Sequence, residues 1–119
     1  MARHLEELVF TALGPLVAGA VHPVVIPQEA TYPCIRYASI SAIPESSLCG
    51  SSGLVRTRLQ LDLYAQQYAQ IRALREQVIS AMQAFPLENI LSDEAEAFEA
   101  DPKLFRRVLT YSLAEQEGP

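Results

Sequence analysis

Hydrophobic and polar positions recur with two different periods along the chain, and these periods predict its helices and strands. Between residues 2 and 13 the apolar positions have helical spacing, at Leu5, Leu8, Val9, Ala12 and Leu13. This pattern predicts an amphipathic helix, and the Gly14-Pro15 pair that follows is a helix stop signal. A second stretch with helical spacing predicts another helix over residues 67–85, which Pro86 ends.

Alternation with a period of two predicts strands in the other apolar segments, most clearly at residues 54–65. The side chains expected to be buried there are Val55, Thr57, Leu59, Leu61 and Leu63. The side chains expected to face solvent or a partner are Arg56, Arg58, Gln60, Asp62 and Tyr64. Because the buried set matches the apolar face of the second helix, we expect the strand leucines to pack on Ile71, Leu74 and Val78.

Three further segments have strand-like patterns, at residues 34–43, 89–98 and 104–115. The stretch 44–53 is rich in Ser and Gly and is predicted to be a loop. Strands joined by short loops favour antiparallel pairing, and two helices on one face of such a sheet form two layers. We therefore predict an α+β fold, a two-layer sandwich with a mainly antiparallel sheet of about four to five strands and two helices packed on one face. The length of 119 residues predicts a single domain over residues 1–119.

Three prolines interrupt the apolar segment of residues 21–33, which also contains Val21. They are Pro23, Pro27 and Pro33. Proline donates no hydrogen bond to a β-ladder, so this segment is not expected to be a central strand. We expect it to lie extended along the sheet edge, where it would protect that edge from uncontrolled strand addition. Two interpretations stay open, a contact with a neighbouring subunit and a connector within one subunit.

Charge and cysteine content exclude several classes of function. The net charge of −5 disfavours a general nucleic-acid-binding surface. Cys34 and Cys49 form neither a disulfide scaffold nor a zinc site by themselves, and we expect two separate reduced thiols. A Cys–His pair with His22 lacks the nucleophile elbow and oxyanion motif that catalysis would need. The apolar run at residues 9–21 is too short to span a bilayer.

Two groups of charged residues, one acidic and one basic, are candidate sites. The acidic residues of the penultimate strand and turn are Asp93, Glu94, Glu96, Glu99 and Asp101. They lack the glycine and the spacing of a calcium loop, so we expect a solvated segment and no metal site. Arg56 and Arg58 would form a basic strip with Arg106 and Arg107 if their strands were neighbours, or would pair with acidic residues across the strands. No dinucleotide or phosphate-binding motif is present, so no cofactor is expected.

Two segments resemble the tail completion (tail-to-head joining) family of long-tailed bacteriophages and prophages. In LGPLVAGAVHPVVIPQEATYPCIRYASIS, the family's proline steps are filled by Pro23, Pro27 and Pro33, while His22 stands where an aromatic residue is more usual. In RTRLQLDLYAQQYAQIRAL, the family's strand ending in Asp-x-Tyr/Trp-Ala is matched at Asp62, Tyr64 and Ala65. The resemblance covers residues 13–82. The C-terminal third matches only in being two strands.

The resemblance implies a structural protein without enzymatic activity that forms a ring, a hexamer, at the end of the tail tube and meets the head connector. It implies a place in the virion tail, after assembly in the host bacterial cytoplasm, and no membrane or specific nucleic-acid partner. The expected subunit and partner contacts are Val21, Pro23, Pro27, Pro33, Arg56, Arg58 and Tyr64. Two alternatives remain: a cytosolic protein-binding adaptor that uses the polar sheet face, and a small hydrolase or secreted domain.

Overall fold

One five-stranded sheet and two α-helices make up the fold of the chain. The computed structural model describes residues 2–47, 50–99 and 103–116. Its elements are α1 (Ala2–Leu13), a 3₁₀ turn (Gly14–Val17), β1 (Val21–Pro23), β2 (Cys34–Ser47), β3 (Gly50–Ala65), α2 (Tyr68–Gln83), β4 (Asn89–Glu99) and β5 (Leu104–Gln116). The predicted α+β class, with four to five strands and two helices, is confirmed.

The strand order in the sheet is β1-β2-β3-β5-β4. β1 runs parallel to β2, and every other neighbouring pair is antiparallel, so the sheet is mainly antiparallel as predicted. After β3 the chain passes through α2 to the edge strand β4 and returns as β5, which pairs with both β3 and β4. The short β1 and the longer β4 are therefore the two edge strands.

The core lies between the sheet and the helices, and it follows the predicted periods. Leu59, Leu61 and Leu63 of β3 are fully buried, and the side chain of Thr57, despite its hydroxyl group, is buried with them. The burial of Val55 lies outside the described part of the structure. From α2 the same cluster contains the predicted residues Ile71, Leu74 and Val78. A strand that presents every second residue and a helix that presents every third or fourth residue form one continuous apolar layer.

The prediction of a loop over residues 44–53 is wrong. β2 and β3 continue as a hairpin, in which Ser46 pairs with Ser51 and Ser47 pairs with Gly50. Leu48 and Cys49 lie outside the described residues. Two long strands in register supply backbone hydrogen bonds whatever their side chains, so pairing overrides the turn-like composition. The pairing register shifts after Pro44, in the part of β2 beyond its pairing with β1. Proline is tolerated at such a bulge on the edge of a sheet.

Candidate assembly surface

The segment of residues 21–33, called the arm below, lies at the sheet edge, as its prolines predicted. Its first three residues form β1, in which Val21 pairs with Ile35 and Pro23 pairs with Tyr37. Val24 then donates a backbone hydrogen bond of 2.9 Å to the Tyr37 carbonyl. After this point the arm turns instead of staying extended. The turn begins at Val24, whose φ of 62° is in the left-handed region that β-branched residues rarely adopt.

Each proline of the arm stands where a missing N–H group costs little. Pro23 ends the edge strand β1, and Pro33 directly precedes β2. Pro27 accepts a backbone hydrogen bond of 3.1 Å from Ala30 and so begins a turn. Pro23 and Pro27 are exposed, whereas Pro33 is half-buried and Val21 is only 6% exposed. The arm therefore presents Pro23 and Pro27 to the surroundings and uses Val21 to pack on the core.

A buried carboxylate connects three strands on the face of the sheet opposite the helices, called the open face below. Asp62 of β3 is 0% exposed. Its Oδ2 accepts hydrogen bonds from Arg36 Nη1 at 2.6 Å and from Arg106 Nη2 at 2.9 Å. Its Oδ1 accepts a bond of 2.8 Å from Gln60 Nε2. Asp62, which matches the family's strand motif, therefore joins β2, β3 and β5 through charge-assisted bonds.

The same network holds the arm in place. The Nε of Arg36 donates to the Val24 carbonyl, while the Nη1 of Arg36 donates to Asp62. One guanidinium group thus connects the arm to the central strand. Since a planar guanidinium offers several donors in a fixed arrangement, its contact with Asp62 also orients its contact with the arm.

The other polar side chains of β3 differ in exposure. Arg56 and Arg58 are exposed on the open face, and Arg56 Nη1 lies 3.4 Å from the Ser112 hydroxyl oxygen. Tyr64 is on the same face but only 8% exposed, with Arg106 Cζ 5.9 Å from its ring centroid. The expectation that Tyr64 projects outward is therefore wrong for the single chain, because a neighbouring arginine covers the ring.

The acidic strand is less solvated than its composition suggested. Glu94 of β4 accepts hydrogen bonds from Arg75 of α2 and, at 2.6 Å, from Arg107 Nε of β5. Arg107 also bonds Glu96 at 2.6 Å. The bonds from Arg75, followed by those from Arg107, lower the pKa of Glu94 to about 2. Arg106 and Arg107 thus point to opposite faces and pair with acids, so no continuous basic strip forms with Arg58.

Sequence reasoning did not single out an aromatic cluster at the end of the β4 edge. Phe98 of β4 and Phe105 of β5 are paired in register, with ring centroids 5.0 Å apart. The ring of Tyr68, at the start of α2, lies 5.6 Å from that of Phe105. Phe98 remains 53% exposed and Tyr68 43% exposed. The pairing of β4 with β5 and the placement of α2 bring these rings together, so local periodicity contained little signal for the cluster.

Cys34, the cysteine within the described residues, lies in the core. The Cys34 thiol is buried, and burial raises its pKa to about 11, so it stays protonated near neutral pH and is a poor nucleophile. Cys49 lies outside the described residues. Within the described ranges, no group of three or more His, Cys, Asp or Glu is placed to hold a metal ion. The helices of that same part of the chain are all too short or too polar to cross a membrane.

Comparison with known proteins agrees with the resemblance seen in the sequence. The family model described as tail completion protein gp17 matches residues 8–115. No curated protein matches the chain at a significant level. The family match includes the arm, the Asp62 motif and the hairpin of β4 and β5. The sequence resemblance had covered the arm and the Asp62 motif, and had matched the C-terminal third only in being two strands. Because it spans most of the 119 residues, the protein belongs to the tail completion protein gp17 family and is a component of phage tails.

Proposed function

We propose that this chain, as one domain over residues 1–119, closes into a ring at the end of the tail tube and joins the tube to the head connector. The family resemblance implies that this ring is a hexamer. It assembles in the host bacterial cytoplasm and has a structural role without catalysis. The observation that carries the proposal is the family match across residues 8–115.

The architecture suits assembly into a ring. A ring built from identical subunits needs two different surfaces that meet head to tail. The sheet has two unlike edges, the arm and β2 on one side and β4 on the other. β1 pairs with only residues 35–37 of β2, so the rest of the described outer edge of β2 has no strand beside it. Each copy therefore offers two distinct lateral surfaces.

The expected contact residues take different parts in this proposal. Pro23 and Pro27 are exposed and contact the neighbouring subunit, whereas Val21 and Pro33 hold the arm against its own sheet. Arg56 and Arg58 project from the open face in the middle of the β2–β3 hairpin and contact the tube or the connector. Arginine is favoured in such protein interfaces. Tyr64 supports that face from within, beneath Arg106.

The test uses tail tubes purified from the phage or prophage that encodes the chain. We expect the wild-type chain to cap the tubes as a closed ring of about six subunits, detected by electron microscopy and by measuring the mass of the native particle. Changing Arg56→Glu and Arg58→Glu together is expected to abolish capping while leaving a folded monomer. The matched control reverses two exposed charges of α1, Glu6→Lys and Glu7→Lys, and is expected to cap normally.

The two parts of the proposal fail separately. A double arginine variant that caps tubes as well as the control would refute the assignment of Arg56 and Arg58. A wild-type chain that stays monomeric on tubes and at high concentration would overturn the ring itself. In that case the adaptor interpretation, with the open face as its binding surface, would take its place.

A further inference from the structure

The exposed hydrophobic side chains are concentrated on the two sheet edges. Among the described residues, seven large hydrophobic side chains are exposed. Three belong to the edge formed by the arm and β2, namely Val24, Val25 and Ile40. Three lie on or beside the β4 edge, namely Tyr68, Ile90 and Phe98. Only Phe10, on α1, lies elsewhere. Single exposed apolar residues are ordinary, but their grouping on two opposite edges indicates contacts.

We infer that the arm edge of one copy, with Val24, Val25 and Ile40, packs against the β4 edge of a second copy, with Ile90, Phe98 and Tyr68. This inference rests on the proposed ring and specifies which surfaces close it. A head-to-tail contact covers both edges of every copy at once. A two-fold contact between like edges, or a partner of another kind, would cover one edge and leave the other exposed.

The β4 edge has few of the features that usually keep edge strands apart. Exposed charges, above all lysines, and prolines normally protect such edges. On the helix side of β4, Glu94 and Glu96 are already paired with Arg107, and Glu94 also with Arg75. On the open face the strand carries the exposed Asp93, followed by the small side chains Ala95 and Ala97, both exposed. Another chain can therefore approach the part of this edge formed by Ala95, Ala97 and Phe98, where the intervening carboxylate, Glu96, is paired with Arg107.

The arm edge is held in one conformation before any contact forms. Val24 is fixed by its N–H bond to Tyr37 and by the bond from Arg36 to its carbonyl, and Arg36 is in turn held by Asp62. The result is that Val24 and Val25 are 59% and 71% exposed on an ordered segment. An ordered segment loses less conformational entropy on binding than a flexible one, which favours association.

The experiment is cross-linking between two differently tagged variants of the chain, assembled together on tail tubes. One variant carries Val25→Cys and the other Phe98→Cys, both with Cys49→Ser, while the remaining Cys34 is 0% exposed. A short bis-maleimide is expected to join the two tags in the mixture, and to give no dimer with either variant alone. The matched control replaces Phe98→Cys by Thr11→Cys on the exposed surface of α1, and no cross-link is expected.

A second comparison uses two phenylalanines of equal exposure. Phe98 on β4 is 53% exposed and Phe10 on α1 is 52% exposed. Phe98→Asp is expected to weaken self-association on tubes at least tenfold, the effect of removing one good apolar contact and adding a charge. Phe10→Asp is expected to assemble as the wild type does. Circular dichroism of each monomer checks that the chain is folded.

Each outcome decides a different point. A dimer from Val25→Cys alone or Phe98→Cys alone would show contact between like edges and overturn the inference. Rings that form normally without the mixed cross-link, or that tolerate Phe98→Asp, would also overturn it while leaving the ring intact. If the wild-type chain forms no ring at all, the failure lies in the proposed function.

Discussion

Asp62 allows the sharpest test of how this chain holds its arm and its sheet together. The perturbation is Asp62→Asn, which keeps the shape of the side chain and removes its charge. Both arginines donate to the same oxygen, Oδ2, while Gln60 donates to Oδ1. An asparagine in this place has one oxygen and one NH₂ group. Whichever way the amide is oriented, its NH₂ group faces another donor, either the two arginines or Gln60.

The magnitude follows from the burial of the three partners. A hydrogen bond to a charged group contributes about 1.5–3 kcal/mol, and breaking a fully buried ion pair costs about 3–5 kcal/mol. The Asp62 side chain is 0% exposed, but those of Arg36 and Arg106 are 25% and 29% exposed. Both arginines can therefore turn partly toward water in the variant. We expect Asp62→Asn to lower the free energy of unfolding by about 2–4 kcal/mol, within these limits.

The assay is urea denaturation, read as a shift of the midpoint at unchanged slope. The matched control is Asp93→Asn, an exposed aspartate of the same face, with an expected loss below about 0.5 kcal/mol. Amide hydrogen exchange supplies a second reading. Because Arg36 connects Asp62 to the arm, the Val24 amide is expected to exchange faster in Asp62→Asn and to be unchanged in the control.

A loss below about 1 kcal/mol for Asp62→Asn would refute the view that the carboxylate joins the strands, because water would then be replacing its bonds. A double-mutant cycle with Arg36→Met separates the pair from the rest of the network. We expect a coupling of at least about 0.5 kcal/mol between the two residues, and a coupling near zero would contradict the Arg36–Asp62 contact through which the carboxylate is connected to the arm.

Two further predictions concern the core and the acidic strand. Leu61 is fully buried, so Leu61→Ala is expected to cost about 2–5 kcal/mol in chemical denaturation. Ile90→Ala, at a position 64% exposed, is the control, and equal losses would show that the face assignment is wrong. Glu94 has a pKa of about 2 when folded and near 4.3 when unfolded, so its stabilising contribution is complete above about pH 4.3 and lost as the pH falls through about 2. Glu94→Gln is expected to lower stability by about 1–2 kcal/mol near neutral pH, reduced by partial exposure, and the difference is expected to vanish toward pH 2. Glu76→Gln, with a side chain 71% exposed, is the control, and an equal loss there would contradict the role of Glu94.

The sequence by itself determined the elements whose patterns are local. The Gly14-Pro15 stop signal placed the end of α1 at Leu13, as observed. The alternation of residues 54–65 identified Leu59, Leu61 and Leu63 as core. The prolines excluded the arm from the centre of the sheet. These features are readable because helix and strand geometry fix which residues share a face within a few positions of each other.

Only the tertiary structure decided the features that depend on residues far apart in the chain. The placement of β5 between β3 and β4, and the extension of the β2–β3 hairpin through Pro44, follow from backbone pairing that composition does not record. The burial of Tyr64 beneath Arg106 and the contact of Phe98 with Phe105 depend on that same strand order. The strand order also decides which strands form the two edges proposed to close the ring. An edge strand has a neighbour on one side only, and no local sequence pattern records that.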